Sequence, residues 1–224
     1  MKIYKTLTLL IIVLFTACNS DDDTIENQDN YNIESDRNAL IEIYNANAGN
    51  SLGWDISTTD VSTWNDVTVE NDRVTVLHIG NRGLSVFPTT AMQKLTALSY
   101  FSASGNSIQS IDISNNTNLK NLALFNNYIT SINLSNNILL EQVLLENNLL
   151  ENLDVSMLPN LIDLKGGSNN FINSVNIANG NNSNMWRMQL SSNNLSCVQV
   201  DSGATNGFNG WSISTNASYS VNCQ

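Results

Sequence analysis

Apolar residues recur along this chain at a fixed step. Between residues 98 and 171, each 21-residue unit has apolar residues at its first, fourth and eleventh positions and asparagine at its ninth. Two further units flank these at steps of 24 residues, so each flanking step holds a three-residue insertion. The six units begin at Val74, Leu98, Leu119, Leu140, Leu161 and Met185. A constant period of this size indicates a repeat coil in which each unit forms one turn.

The middle of each unit alternates apolar and polar residues, which is typical of a strand with one buried face. The fourth, sixth and eleventh positions are therefore predicted to face the interior, and the third, fifth and seventh to face outward. One interior position holds Gly166, where we expect a thin core. The predicted interior residues are Leu77, Phe101, Leu122, Val143, Leu164 and Met188; Ile79, Ala103, Leu124, Leu145, Gly166 and Leu190; and Leu84, Ile108, Ile129, Leu150, Phe171 and Leu195.

Two other features of the unit carry structural predictions. The column of asparagines is expected to satisfy backbone groups in the bend after each strand, because an amide both donates and accepts hydrogen bonds. The second half of each unit also alternates, which predicts short convex strands at 111–114, 132–135, 153–156 and 175–178. The asparagines are Asn106, Asn127, Asn148, Asn169 and Asn193.

This pattern resembles the leucine-rich repeat, L-x-x-L-x-L-x-x-N-x-L, and its alternating second half resembles the bacterial nested variety of that repeat. The resemblance implies a mostly β repeat solenoid of about six repeats over residues 74–195. It also implies parallel strands on a concave face, a small α+β N-terminal cap and a C-terminal cap, because a solenoid otherwise exposes apolar ends.

Residues 35–73 are predicted to form the N-terminal cap. Ser35 or Asp36 is expected to cap a helix with apolar residues at helical spacing. Trp54 and Trp64 follow, and we interpret them as core packing rather than as ligand platforms. The order of helix, tryptophan pair and hairpin resembles the N-terminal domain of plant-type leucine-rich-repeat proteins, without the cysteine pair common there.

Residues 196–224 are predicted to form the C-terminal cap. In an oxidising exterior Cys197 and Cys223 are expected to form a disulfide, with two free thiols as the alternative. Trp211 lies between them, where it is expected to cover the last turn of the coil.

Residues 1–17 are arranged like a secretory signal, with a short apolar run that is too short to remain as a membrane-spanning helix. The junction Phe15-Thr16-Ala17-Cys18 resembles the lipobox of bacterial lipoproteins, which implies lipidation of Cys18. The alternative is a simple signal peptide cut near Ala17.

Residues 18–34 are predicted to be an acidic flexible linker. Asp21-Asp22-Asp23 resembles the surface-export signal of Bacteroidetes lipoproteins, which implies anchoring in the outer membrane with exposure at the cell surface. An ordinary acidic linker is the alternative. Asp23-Thr24-Ile25 resembles the O-glycosylation motif of the same bacteria, so Thr24 is a candidate acceptor.

The chain is acidic, with 9 Lys and Arg against 20 Asp and Glu residues. Removal of the signal would take away Lys2 and Lys5 and leave a formal net charge of about −13. Such a body repels phosphate backbones, so we expect no nucleic acid partner. Contact with the membrane is expected through the lipid anchor only.

Catalytic chemistry is not predicted. The single histidine, His78, stands at an outward position, and no motif places a cysteine, serine or carboxylate beside it. We therefore expect neither enzyme activity nor a metal or other cofactor.

The candidate site lies at the outward positions of the concave strands. Apolar residues there include Tyr100, Phe125 and Leu144, and further ones stand at the second position, where each strand begins. Charges in neighbouring turns are expected to pair, except that of Glu146, which is expected to have no opposite partner. The full candidate set is Tyr100, Phe125, Leu144, Glu146, Ile162, Asp163, Lys165, Trp186 and Arg187.

Three functions fit such a surface. Aromatic residues near an arginine are common anchors of protein interfaces, which favours binding of a protein or peptide in adhesion or host contact. A glycan is the second candidate ligand because aromatics also stack on sugars, and a structural role in a surface complex is the third. Exposure without any partner remains the alternative.

The lipid prediction is tested by Cys18→Ala. We expect this variant to move from the membrane fraction to the soluble fraction, because lipidation requires the cysteine sulfur. Fractionation of cells followed by immunoblotting measures the distribution. Unchanged membrane partitioning of the variant would contradict the lipobox interpretation.

Overall fold

The computed structural model describes residues 31–169, 171–191 and 193–223. The predicted signal peptide, Cys18, the acidic triplet and Thr24 lie outside these residues. Within the described part of the chain, no helix is long and apolar enough to cross a membrane.

Two helices and twelve short strands follow one another along the described residues. They are α1 (Ile33–Ala46), β1 (Val67–Glu70), β2 (Arg73–His78), α2 (Thr89–Lys94), β3 (Tyr100–Ser102), β4 (Asn121–Ala123), β5 (Gln142–Leu144), β6 (Asn152–Asp154), β7 (Asp163–Lys165), β8 (Ser174–Asn176), β9 (Arg187–Leu190), β10 (Cys197–Gln199), β11 (Trp211–Ile213) and β12 (Ser218–Ser220). Single 3₁₀ turns occur at Val61–Thr63 and Asn182–Asn184.

The strands form two sheets that share the coil. The larger sheet, here called the concave sheet, has the order β1-β2-β3-β4-β5-β7-β9-β11. Its neighbours are parallel apart from the β1–β2 hairpin. The smaller, convex sheet has the order β12-β10-β8-β6 and is parallel throughout. This topology confirms the predicted β solenoid of about six turns.

The register of the coil agrees with the predicted interior columns at all but one position. The pattern predicts Phe171 inside, but its side chain is 55% exposed, whereas Ile172 is fully buried. The Ile172 N–H donates to the Asn169 carbonyl at 3.0 Å, so the chain turns here and the next residue enters the core. The prediction for Phe171 is therefore wrong by one residue.

The core around Gly166 is filled, contrary to the expected thin spot. A Cβ built on Gly166 would lie 3.0 Å from Leu190 Cδ2 and 3.2 Å from Leu153 Cδ2. These two leucines, from the next concave strand and from the convex sheet, already occupy the space that a side chain at this position would fill.

The asparagine column makes the hydrogen bonds that its position predicts. The Asn127 amide group donates to the carbonyls of Leu124 (2.9 Å) and Ala103 (3.0 Å), and its Oδ1 accepts from the Ile108 N–H (3.0 Å). The Asn148 side chain repeats this arrangement one turn later. Each buried asparagine therefore links its own bend to the preceding turn.

The convex side is less regular than the alternation predicts. Strands β6 and β8 form as expected, but 111–114 and 132–135 form no strand. Their apolar residues are buried all the same, except Ile132, which is partly buried. One turn earlier, the unit that holds the three-residue insertion forms the six-residue helix α2 in place of a strand, and α2 packs on α1.

The N-terminal cap differs from the prediction at the start of its helix. Asn32 caps α1, and it exchanges hydrogen bonds with Ser35 in a capping box. Asp36 is fully buried and accepts hydrogen bonds from Arg73 Nε (2.9 Å) and the Val74 N–H (2.7 Å). Asp36 thus joins the helix to the first concave strand. The prediction that Ser35 or Asp36 is the N-cap residue is wrong, because Asn32 holds that position and Ser35 is its partner in the capping box.

The tryptophans and the hairpin of this cap lie as predicted. Trp54 and Trp64 are buried and their rings stack, with centroids 5.1 Å apart. Asn71 and Asp72 make the β1–β2 turn with positive φ angles, a conformation that these two residue types tolerate well.

The C-terminal segment extends the coil. Strand β10 pairs with β8, β11 with β9, and β12 with β10, so residues after 195 add a further partial turn. The predicted disulfide is present between Cys197 and Cys223. The Trp211 indole donates to the Met185 carbonyl (3.1 Å), which fixes this ring on the last complete turn.

The corrected register is tested by a pair of neighbouring substitutions. Ile172→Ala should lower the free energy of unfolding by about 2–4 kcal/mol, because it leaves a cavity in the core. Phe171→Ala should change it by less than about 0.5 kcal/mol, because more than half of that side chain is exposed. Denaturant unfolding of both variants measures the difference. A larger loss of stability in Phe171→Ala than in Ile172→Ala would contradict the corrected register and support an interior position for Phe171.

Candidate functional site

The candidate residues lie in the concave strands, at the edge where these strands begin, or, for Phe125 and Glu146, two residues after a strand ends. Tyr100, Leu144 and Phe125 occupy the third, fifth and seventh positions of successive turns, and each is half-buried. They therefore point outward as predicted, while the adjacent Leu124 and Leu145 are fully buried. The alternation of the strand explains both sets of directions.

An apolar strip runs across β2 to β5 on this face. The ring of His78 lies against that of Tyr100, with centroids 4.3 Å apart. Ala123 lies beside Leu144 in the paired strands β4 and β5, and only 5% of it is exposed. The sequence pattern predicts Tyr100, Phe125 and Leu144 on this surface. The contribution of His78 is not predicted, because a single outward histidine gives no sign of a ring contact. We call these five residues the apolar strip.

Asp163 and Arg187 form a largely buried ion pair beside this strip. Asp163 is 1% exposed, and its carboxylate accepts hydrogen bonds from Arg187 Nε (2.6 Å) and Gln142 Nε2 (2.7 Å). The pKa of Arg187 is raised above its usual value, chiefly because its guanidinium donates to this carboxylate. The two residues stand in the same column of adjacent strands, as the sequence predicts. Asp163 thus holds neighbouring strands together, and its carboxylate faces protein donors.

Glu146 is not the unpaired charge that the sequence predicts. Its carboxylate Oε1 lies 3.3 Å from the Lys165 ammonium group, which reaches it from the next turn. The two residues stand in different columns, so a comparison of like positions in adjacent turns does not reveal the pair. Glu146 Oε2 is buried and has no hydrogen-bond partner among the described residues.

Ile162 and Trp186 lie at the edge of the sheet. Trp186 follows Ile162 by one turn, its N–H donates to the Ile162 carbonyl (3.1 Å), and 54% of it is exposed. The Arg187 guanidinium lies 4.4 Å from the centroid of the Trp186 ring, so it covers one face of that ring.

Three further apolar residues are exposed in the turns before concave strands, and the repeat pattern does not predict them. Ile138, Leu139 and Met157 are 49%, 38% and 60% exposed. They stand in the turns that lead into concave strands. At the equivalent positions one unit earlier the chain has Thr117, Asn118 and Asn136. That switch from polar to apolar residues at like positions is the signal that identifies them.

The charges of the concave face balance. At its second, third, fifth and seventh positions, Lys120, Lys165 and Arg187 oppose Glu141, Glu146 and Asp163. The face is therefore close to neutral on a strongly acidic chain. Among the described residues, no group of three or more His, Cys, Asp or Glu side chains could hold a metal ion.

The two ion pairs should differ in their contribution to stability. Arg187→Ala should lower the free energy of unfolding by about 2–4 kcal/mol, because it leaves the buried Asp163 carboxylate without its cation. Lys165→Ala should lower it by less than about 1 kcal/mol, because both partners of that pair are partly exposed to solvent. Thermal or denaturant unfolding measures both changes. Equal effects would contradict the burial assigned to Asp163.

Solved structures with a similar fold include plant receptor ectodomains. The leucine-rich-repeat ectodomain of the receptor kinase SOBIR1 from Arabidopsis thaliana is 21% identical, covers 75% of this chain and 97% of its own, and has a TM-score of 0.59. A Pollen Receptor Kinase 3 structure is 17% identical, with coverage of 84% and 100% and a TM-score of 0.61. The BIR2 ectodomain from Arabidopsis thaliana is 18% identical, with coverage of 81% and 96% and a TM-score of 0.55.

A bacterial protein is also similar over part of its length. The functional domain of InlJ from Listeria monocytogenes is 24% identical, with a TM-score of 0.47, and this chain spans only 29% of that chain. No protein-family model and no curated protein sequence matches the chain. The three plant structures, with TM-scores of 0.55 to 0.61, show that the fold is that of a leucine-rich-repeat solenoid.

Proposed function

We propose that this protein is a lipoprotein, anchored through Cys18 on the outer surface of the outer membrane, that binds a protein or peptide through its concave sheet in adhesion or host contact. The lipobox-like junction and the acidic triplet support the anchoring part of the proposal. The apolar strip supports the binding part.

The apolar strip carries the proposal because its surroundings make it suitable for a protein ligand. It presents the half-buried side chains of Tyr100, Phe125 and Leu144 on or beside a hydrogen-bonded sheet, so little conformational entropy is lost when a partner binds. Four of the six charges of the concave face pair within the chain, Glu146 with Lys165 and Asp163 with Arg187. These charges therefore do not require a charged partner. A partner with exposed apolar side chains and no strong charge would complement the strip.

A binding screen followed by two matched variants tests this function. The unlipidated chain of residues 19–224 would be screened against a displayed peptide library and an array of host extracellular proteins. For a ligand so identified, Phe125→Ala and Leu144→Ser should each weaken binding about fivefold or more, with little change in stability. Tyr128→Ala is the control, because Tyr128 is 53% exposed but lies outside the strip.

The control and the variants separate two outcomes. Loss of affinity in the two strip variants alone supports binding at this surface. Equal affinity of both strip variants and the control for every ligand found would place binding elsewhere on the molecule.

Glycan capture is the second candidate function, and Trp186 is the observation that favours it. The Arg187 guanidinium covers one face of this ring, while more than half of the residue is exposed. A ring held in one orientation is suited to stacking on a sugar. A glycan array probed with the wild type and with Trp186→Ala distinguishes the two functions. Glycan capture requires that the wild type binds glycans on the array and that Trp186→Ala does not.

A further inference from the structure

Three asparagines of this chain are each followed directly by a glycine. In such a pair the backbone nitrogen of the glycine can attack the side-chain Cγ of the asparagine, because glycine has no Cβ to obstruct the approach. The side-chain amide is then lost as ammonia, so these pairs are candidate sites of spontaneous modification. The pairs are Asn179-Gly180, Asn206-Gly207 and Asn209-Gly210.

Both reacting groups of the first pair are held by other residues. Asn179 is buried, and its Nδ2 donates to the Leu158 carbonyl (3.0 Å) while its Oδ1 accepts from the Asn181 N–H (3.0 Å). The Gly180 N–H donates to the Asp201 carboxylate (3.0 Å). Reaction at this pair therefore requires that several hydrogen bonds break first.

In the second pair only the attacking nitrogen is held. Asn206 is exposed to solvent. The Gly207 N–H donates to the Ala204 carbonyl (2.9 Å) and closes a turn of four residues. This N–H must leave its acceptor before the nitrogen can attack, so the fold slows the reaction at Asn206.

The third pair stands at the centre of a turn, where its N–H is free. The Trp211 N–H donates to the Phe208 carbonyl (3.1 Å), so the peptide that joins Asn209 to Gly210 is the middle one of this turn. The N–H of that peptide takes no part in the closing hydrogen bond. It has no other acceptor among the described residues, and Asn209 is exposed. The attacking nitrogen and the side chain are thus both available.

The packing of the last turn requires a glycine at this position. Gly210 has a φ angle of +88°, which suits the third residue of such a turn only when that residue is glycine or asparagine. A Cβ built on Gly210 would also clash with the carbonyl oxygen of Trp186 in the preceding turn. The residue that makes Asn209 reactive is therefore the one that lets the two turns approach.

We propose that Asn209 is a site of spontaneous deamidation. The Gly210 nitrogen forms a bond to Asn209 Cγ, the bond from Cγ to Nδ2 breaks, and the proton of the Gly210 N–H leaves with Nδ2 as ammonia. Water then adds to one of the two carbonyls of the resulting succinimide and opens the ring. One direction of opening gives aspartate, and the other gives isoaspartate. This inference does not depend on the proposed binding function.

The isoaspartate product should loosen the last turn of the coil. Its backbone runs through the former side chain, so it has one more atom before Gly210 than the original chain. The Gly210 carbonyl accepts from the Met188 N–H (3.3 Å) where β9 and β11 begin to pair. A longer turn displaces this carbonyl and with it the start of β11 at Trp211. Deamidation therefore weakens the contact of the last turn with the preceding one.

Ageing of the unlipidated chain, residues 19–224, tests the proposal. The protein would be incubated at mildly alkaline pH, and mass spectrometry of proteolytic fragments would follow each of the three asparagines. We expect Asn209 to convert about tenfold faster than Asn206, because breaking one ordinary hydrogen bond slows a reaction by about that factor. Asn179 should convert more slowly still. The melting temperature should fall as the isoaspartate at residue 209 accumulates.

Two variants and an unfolded sample supply the controls. Asn209→Gln should keep its melting temperature during ageing, because glutamine would have to form a less favourable six-membered ring. The matched variant Asn206→Gln should lose stability as the wild type does. In denaturant the three asparagines should convert at similar rates, since the fold no longer distinguishes them.

These results would support the proposal together. Conversion of Asn209 no faster than that of Asn206 in the folded protein overturns it. The same ranking in folded and denatured protein also overturns it, because neighbouring residues rather than the turn would then control the reaction. A fall in melting temperature that Asn209→Gln does not prevent contradicts the assigned effect on the last turn.

Discussion

Every turn of this coil must bend its backbone inside the protein, where peptide groups cannot reach water. A peptide group left without a partner there costs about as much as a lost hydrogen bond, and the cost recurs at each turn. The asparagine column meets this requirement, since Asn127 bonds carbonyls of its own turn and of the preceding one. At the other bend, Asn116 and Asn137 donate to carbonyls in a similar way. Both sets link successive turns, so the coil keeps a nearly constant step and its strands stay in register.

The sequence predicts those parts of the fold that depend on the regular spacing of apolar residues along the chain. Alternation alone assigns the inward and outward faces of each concave strand, because side chains on a strand change face at every residue. Where two apolar residues adjoin, as at Phe171 and Ile172, alternation gives no choice between them, and the turn after Asn169 decides. The role of Asp36 depends on Arg73, which is 37 residues away, so no helix-capping pattern in the sequence reveals it.

The same distinction applies to the candidate site. Asp163 and Arg187 occupy like positions in paired strands, so the repeat alignment predicts their contact. Glu146 and Lys165 meet diagonally, and the length of the lysine side chain makes that contact possible. The contact between the rings of His78 and Tyr100 also depends on side-chain rotation rather than on register. Equivalent positions in successive repeats therefore predict which residues are neighbours. The side-chain rotamers decide which of these neighbours interact.

The distribution of charge explains why the concave sheet is the proposed binding face. An acidic protein associates most easily where its surface is neutral, because no like charges are brought together there. The concave sheet reaches neutrality by a balance of three basic and three acidic residues. Two of these opposite pairs are in contact, Glu146 with Lys165 and Asp163 with Arg187. A partner that docks on the apolar strip therefore does not have to supply opposite charges for them.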